Sequence, residues 1–241
     1  MTARAGLFLS AALLAACAAT PSPTPSPTPG ESDWESLFDG ETFQGWNSYQ
    51  GGELPNDAWR IEDGAIVAQS GRGEIVTNAS YSNFVLEFSW RVSEGANSGV
   101  FYRIGEWLDP VHHVGLEYQI LDNVGQAGRP LTEQAGACYG VVPASPDVTR
   151  PAGEWNSGTI EVRGDHVIHR LNGHVVAEFV LRSDEWLQAV ADGPMKSHPQ
   201  FAIAPTGPIA LQNYHGHTVA YRDLRIRRIP DVGMFGPGRG R

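Results

Sequence analysis

Hydrophobic and polar residues alternate at every second position over much of this chain, a period that predicts strands rather than helices. The alternation is cleanest over Phe84–Ser93. There Phe84, Leu86, Phe88, Trp90 and Val92 are expected to face a core, with Glu87, Ser89, Arg91 and Ser93 outward. Further strands are predicted over 100–104, 113–122, 137–142, 208–214 and 220–229, and Trp59–Gln69 reads as a hairpin about Glu62-Asp63-Gly64. Segments 159–163, 166–171 and 175–181 read as a meander turning at Gly164-Asp165 and Asn172-Gly173, the second being the strongest hairpin signal in the chain. Only Asp184–Asp192 has helical character. So many antiparallel strands at short spacing imply an all-β fold, a two-sheet antiparallel jelly-roll sandwich. The stretch 34–230 is ample for one such domain.

One strand departs from simple alternation. In Gly115–Asn123, GLEYQILDN, Leu116, Tyr118 and Ile120 share one face, while Glu117, Gln119 and Leu121 share the other. An acid and an amide side by side, flanked by aromatics, suit a strand that lines a sugar cleft. Asp122 is the second carboxylate of the segment, but on a regular strand residues 117 and 122 point to opposite faces. Retaining glycoside hydrolysis needs carboxyls about 5–5.5 Å apart, which only a bulge would provide here. Asp122-Asn123 reads instead as a turn.

The first residues carry a different signal. A weakly basic start (Arg4), an apolar run and Leu14-Ala15-Ala16-Cys17 fit a lipoprotein signal peptide over 1–16, with Cys17 as the lipidated new N-terminus. An ordinary secretory signal cut elsewhere is the alternative. Residues 17–33 include the repeat AATPSPTPSPTPG, which suits a semi-rigid tether. Residues 231–241 read as a flexible Gly-rich tail. The expected location is therefore the cell envelope, with the lipid as the only membrane contact; outer-membrane anchoring is favoured if the host is Gram-negative. The net charge of −10 and the lack of a basic run argue against nucleic acid. With Cys17 lipidated, Cys138 has no disulfide partner and reads as a buried small residue. The chain has a single Lys, Lys196, among sixteen Arg, and a lone ammonium can mark a site that needs a shiftable pKa.

Other polar groups lie where a sandwich core does not require them. Arg103 ends the segment SGVFYR; Glu154 and Trp155 sit in GEWN; Gln212 and Tyr214 share a face in LQNYHGH, where His215 meets the strand end. A His at such a junction suits a general base or a metal ligand. His112-His113 is a weaker metal candidate, and no HExxH or similarly tight spacing occurs.

Together these segments resemble the 3-keto-disaccharide hydrolase family. LFDGETFQGW (37–46), WRIEDG (59–64), NSGVFYR (97–103), LEYQILDN (116–123), GACYG (136–140), GEWN (153–156), LNG (171–173) and GPIALQNYHG (207–216) follow in the family order. YRDLRI (221–226) stands in place of the usual FRNIRI, Cys138 occupies a position more often aliphatic, and Asn213-Tyr214 replaces the common single Asp before His-Gly. The resemblance implies a concanavalin A-like jelly roll of the lectin/glucanase type. It also implies cleavage of glycosides whose C3 is already a ketone: C2 proton abstraction, elimination of the aglycone, then rehydration. Carried onto this chain, Glu117 or His215 is the base, or the two share a divalent metal cation, the one cofactor expected. Arg103 and Lys196 supply positive charge. Gln119, Gln212, Trp155, Tyr139 and Asn156 bind the substrate. An upstream sugar 3-dehydrogenase is the expected pathway partner, since no dinucleotide-binding turn occurs here. A non-catalytic lectin-like module using the same concave face, or a structural domain of the envelope, remains compatible with the residues.

Overall fold

The computed structural model describes residues 33–49, 51, 54, 58–69, 73–105, 109–214 and 216–230. The expected signal peptide, Cys17, the tether, the tail and His215 lie outside the described residues. From Asp33 onward the chain forms one compact unit.

Its strands are β1 (Trp34–Ser36), β2 (Trp46–Ser48), β3 (Trp59–Glu62), β4 (Ala65–Ala68), β5 (Ile75–Thr77), β6 (Phe84–Val92), β7 (Asn97–Tyr102), β8 (Leu116–Leu121), β9 (Asn156–Arg163), β10 (His166–Leu171), β11 (His174–Val180), β12 (Ala210–Leu211) and β13 (Val219–Arg228). Two short helices are α1 (Val111–Val114) and α2 (Asp184–Asp192). Among the described residues, the strands make two antiparallel sheets. One has the order β11-β10-β9-β6-β13-β4-β3, with β1 also paired to β13; the other runs β2-β5-β12-β7-β8. This is the two-sheet jelly roll that the alternation predicts.

The core lies between the sheets. Phe84, Leu86, Phe88, Trp90 and Val92 of β6 meet Val100, Tyr102, Leu116, Tyr118 and Ile120 of the facing sheet. Phe88 and Tyr118 contact edge to face at 5.3 Å, a geometry that aromatic quadrupoles favour. The turns follow their residues as well. Asp63 and Gly64 take positive φ between β3 and β4, as do Asn172 and Gly173 between β10 and β11, the conformation a two-residue primed turn requires. The opening LFDGETFQGW is a structural loop. Asp39 accepts from the Glu41 and Thr42 amides, and the Trp46 indole donates to the Leu37 carbonyl at 2.7 Å.

Three elements differ from expectation. The predicted strand 137–142 is a tight reversal in which Cys138 bridges both Tyr118 and Val142. The predicted strand 208–214 keeps only Ala210–Leu211 in the ladder. Residues 111–114, whose end overlapped a predicted strand, coil as α1 instead. Helix α2 occupies its predicted span; Ser183 caps it by accepting from the Trp186 amide, and Trp186 stacks on Phe179 at 5.3 Å. No helix among the described residues is long and apolar enough to cross a membrane.

Candidate active site

The face of the five-stranded sheet turned away from the core carries the polar residues. Asn47, Val76, Ala210, Phe101 and Glu117 are register partners across its five strands. One pleat further along, Gln119 pairs with Gly99, the Gln212 amide donates to the Gly99 carbonyl at 3.0 Å, and the Tyr49 amide donates to the Glu74 carbonyl at 2.9 Å. Glu117, Gln119, Gln212 and Glu74 therefore project from neighbouring rows of one face.

The first row is largely apolar and covered. Its Val76, Phe101 and Ala210 form a small cluster with Tyr49 of the next row, with Ile104 and with Val111 and Val114 of α1. That cover places Glu117 beside desolvated surface, and Glu117 is only 6% exposed. The outer edge of β8 is also occupied: the Gln119 amide donates to the Ala137 carbonyl and the Tyr139 amide to the Glu117 carbonyl, each at 3.1 Å. Burial, then the charge of Glu74, hold the Glu117 carboxyl well above the ordinary carboxylate range. Burial raises Glu74 as well.

Gly99 decides where that carboxyl lies. A methyl group built on Gly99 would collide with Oε1 of Glu117. The side chain of Glu117 thus reaches from β8 across β7 into space that only glycine leaves open. Beside it, Gln119 donates through Nε2 to Asn97 Oδ1 at 3.1 Å, while its buried Oε1 has no partner among the described residues. Tyr139 stands half-buried close to Glu117, Glu133 and Tyr214, and burial, Glu133 and then Glu117 raise its phenol.

Of the expected site residues, Glu117, Gln119, Gln212 and Tyr139 come together on this face. Lys196 is exposed on the turn Pro194–Ser197, whose Pro194 packs on Gly140 next to Tyr139. The others are placed elsewhere. Arg103, at positive φ just past β7, is 3% exposed. Its guanidinium donates to the Gly164 and Ser82 carbonyls, joining the end of one sheet to the β9–β10 turn of the other. Trp155 lies on the outer face of the eight-stranded sheet beneath Arg91 and Arg222, whose guanidiniums sit 4.8 and 4.0 Å from its ring centroid. Asn156 is buried in β9, where its Oδ1 accepts from the Arg150 amide and from Asn172 Nδ2. These three residues serve packing and hydrogen bonding away from Glu117. Asp122 does shape a turn, accepting the Gly95 amide at 2.8 Å.

The residues missed from sequence are Glu74 and Gly99. Glu74 follows a Gly-rich stretch and looks like a surface acid; only the strand order puts it on the face of Glu117. The Gly99 position was visible as the glycine of NSGVFYR, but the carboxyl above it was not. For a metal, no group of three or more His, Cys, Asp or Glu residues is arranged to hold an ion among the described residues.

The sequence and the fold both have relatives. Residues 33–227 match the family described as the 3-keto-alpha-glucoside-1,2-lyase-like domain. A 3-keto-disaccharide hydrolase of Bacteroides thetaiotaomicron is 33% identical over 225 residues, spanning 80% of this chain and 77% of that protein. Two crystal structures of candidate glycosyl hydrolases from Parabacteroides distasonis superpose well. One has a TM-score of 0.77 at 28% identity, covering 83% of this chain and 95% of its own; the other has 0.65 at 26%, covering 81% and 99%. With a match that runs through both sheets and every segment of the site face, the chain belongs to the 3-keto-alpha-glucoside-1,2-lyase-like family.

Proposed function

We propose that this carbohydrate-cleaving enzyme acts on 3-keto-glycosides by elimination and rehydration, with Glu117 as the base. The observation that carries this reading is the carboxyl of Glu117, buried beside Phe101, laid over Gly99 and raised by its surroundings. A C3 ketone acidifies the hydrogen on C2, and a carboxylate whose pKa is raised above the ordinary range is a stronger base for it. The C2–H electrons form an enolate, the C1–O bond breaks, and water then adds at C1. Within the β8 segment itself, Asp122 does not pair with Glu117, because its carboxylate is engaged with the Gly95 amide. Gln119 and Gln212 flank Glu117 on the same face and suit hydroxyl groups of the ring. In the alternative use of the same side chains, Glu117 and His215 would together hold a divalent cation that polarises the ketone oxygen, in place of Glu117 acting as the base.

The test is aglycone release from a 3-keto-glucoside and from its unoxidised parent, each with and without EDTA. Release from the ketone alone is expected. Release from neither substrate in any metal condition would sink the reading, and loss with EDTA would bring the cation into the site.

The N-terminal reading is part of the same proposal: lipidation at Cys17 would tether the domain to the envelope, and a sugar 3-dehydrogenase would supply the ketone. Fatty-acid labelling that persists in Cys17→Ala would overturn the anchor.

A further inference from the structure

Elimination leaves one demand that Glu117 cannot meet. As the C1–O bond breaks, charge builds on the aglycone oxygen, and a sugar or alkyl alkoxide departs readily only if it is protonated. Glu117 is by then carrying the proton from C2.

Another carboxyl stands on the same face. Glu74 immediately precedes β5, and its carbonyl accepts the Tyr49 amide at 2.9 Å, so its backbone is held beside the end of β2. In strand order β5 is separated from β7 by β12, two spacings or about 10 Å. The carboxyl of Glu117 overlies Gly99 on β7, and Glu74 stands on the same face, with Gln212 of the β12 segment between their strands. Two strand spacings leave room for one sugar ring over Gln212. Glu74 is half-buried, and burial favours its protonated form, as a proton donor requires.

We propose that Glu74 is the acid of this reaction, protonating the aglycone oxygen as it departs from the enolate that Glu117 forms by removing the C2 proton. The inference rests on the 3-keto-glycoside reading above. In the forward half, the Glu117 carboxylate takes the C2 proton to give the enolate, whose electrons then form the C1=C2 bond as the C3 carbonyl is restored. The C1–O electrons leave with the aglycone oxygen, which receives the carboxyl proton of Glu74. The ketone at C3 is retained, so no oxidant or reductant enters. In the second half, the Glu74 carboxylate takes a proton from water as the water oxygen bonds to C1, and protonated Glu117 returns its proton to C2.

The discriminating experiment compares Glu74→Gln with the unaltered protein on methyl and on 4-nitrophenyl 3-keto-glucosides, in both anomeric forms. Hydrogen exchange at C2 is followed in deuterated water on the same samples. A nitrophenolate leaves without help and a methoxide does not. The variant should therefore lose about 10²–10⁴-fold on the methyl substrate, keep most of its rate on the nitrophenyl one, and still exchange C2 hydrogen. Equal loss on both substrates, loss on neither, or loss of C2 exchange would overturn the role. If the unaltered protein releases neither aglycone and exchanges no hydrogen, the functional reading itself falls and takes Glu74 with it.

Discussion

At Glu117, burial first and Glu74 second keep the proton on the folded protein to higher pH than on the unfolded chain. Its favourable contribution to folding is complete below the unfolded carboxylate value and is lost as pH rises through the raised folded value. Glu117→Gln removes that penalty. The variant should melt higher at pH 8, with each 1 kcal/mol appearing as about 2–4 °C in a domain of this size, while aglycone release falls by about 10²–10⁴-fold. A calorimetric melt that drops instead would show that the carboxyl is not strained by its burial. The same ionisation sets the acid limb of kcat/KM well above the ordinary carboxylate range, and a limb within that range would exclude Glu117 as the base. Gly99 offers a second test. Its φ is not in the left-handed region, so alanine is tolerated by the backbone, yet the added methyl would displace Oε1 of Glu117. Gly99→Ala should leave folding largely intact and cost about 100-fold in kcat, the usual consequence of moving a reacting group by about 1 Å. A rate within a few-fold of the parent would mean the carboxyl need not lie over β7.

At the scale of elements, β7 and β8 show how far pattern reading reaches. Alternation assigned Leu116, Tyr118 and Ile120 to the core and Glu117 and Gln119 to the other face, and both assignments hold. Leu121 joins the main core at the strand end, where regular alternation no longer applies. A period of two would put Arg103 on the face of Phe101, two residues before it, but positive φ turns the chain there and sends the guanidinium to Gly164. Arg103 is thus a clamp between the end of β7 and the β9–β10 turn. Arg103→Ala should cost about 1.5–3 kcal/mol of stability, the worth of a charged hydrogen bond to a buried carbonyl, measured by urea unfolding. The pH profile of aglycone release should not move, and a shifted acid limb would return Arg103 to the site. Helix α1 was invisible for a related reason. Four residues make a single turn and carry no periodicity to detect, although that turn covers the floor beside Glu117.

Across the whole molecule, one buried histidine ties the two sheets together. His169 of β10 accepts the Tyr102 hydroxyl of β7 at Nε2, 2.8 Å, and donates from Nδ1 to the Gly136 carbonyl, 2.9 Å; a carbonyl can only accept, which fixes the neutral tautomer. Burial depresses its pKa to about 4. The folded protein therefore binds fewer protons here than the unfolded chain, so stability is full above about pH 6.5 and is lost as pH falls toward 4. The shift corresponds to about 3 kcal/mol. The urea midpoint should fall between pH 7 and pH 4.5, and His169→Gln should flatten that fall. An unchanged slope in the variant would assign acid lability to other groups.

By itself the sequence determined the sandwich, because a period of two is a local property of extended backbone and its glycine and asparagine turns are local too. It also singled out Glu117, since an acid inside an otherwise apolar strand needs no partner to be noticed. Tertiary structure decided everything that depends on which strands become neighbours. Strand order set Glu74 on the face of Glu117, and register opened Gly99 beneath the carboxyl. It also carried Trp155 and Asn156 to the opposite sheet and Arg103 to the end of the sandwich. Hydrogen-bonded pairing joins residues far apart in the chain, and no spacing along the sequence encodes that choice.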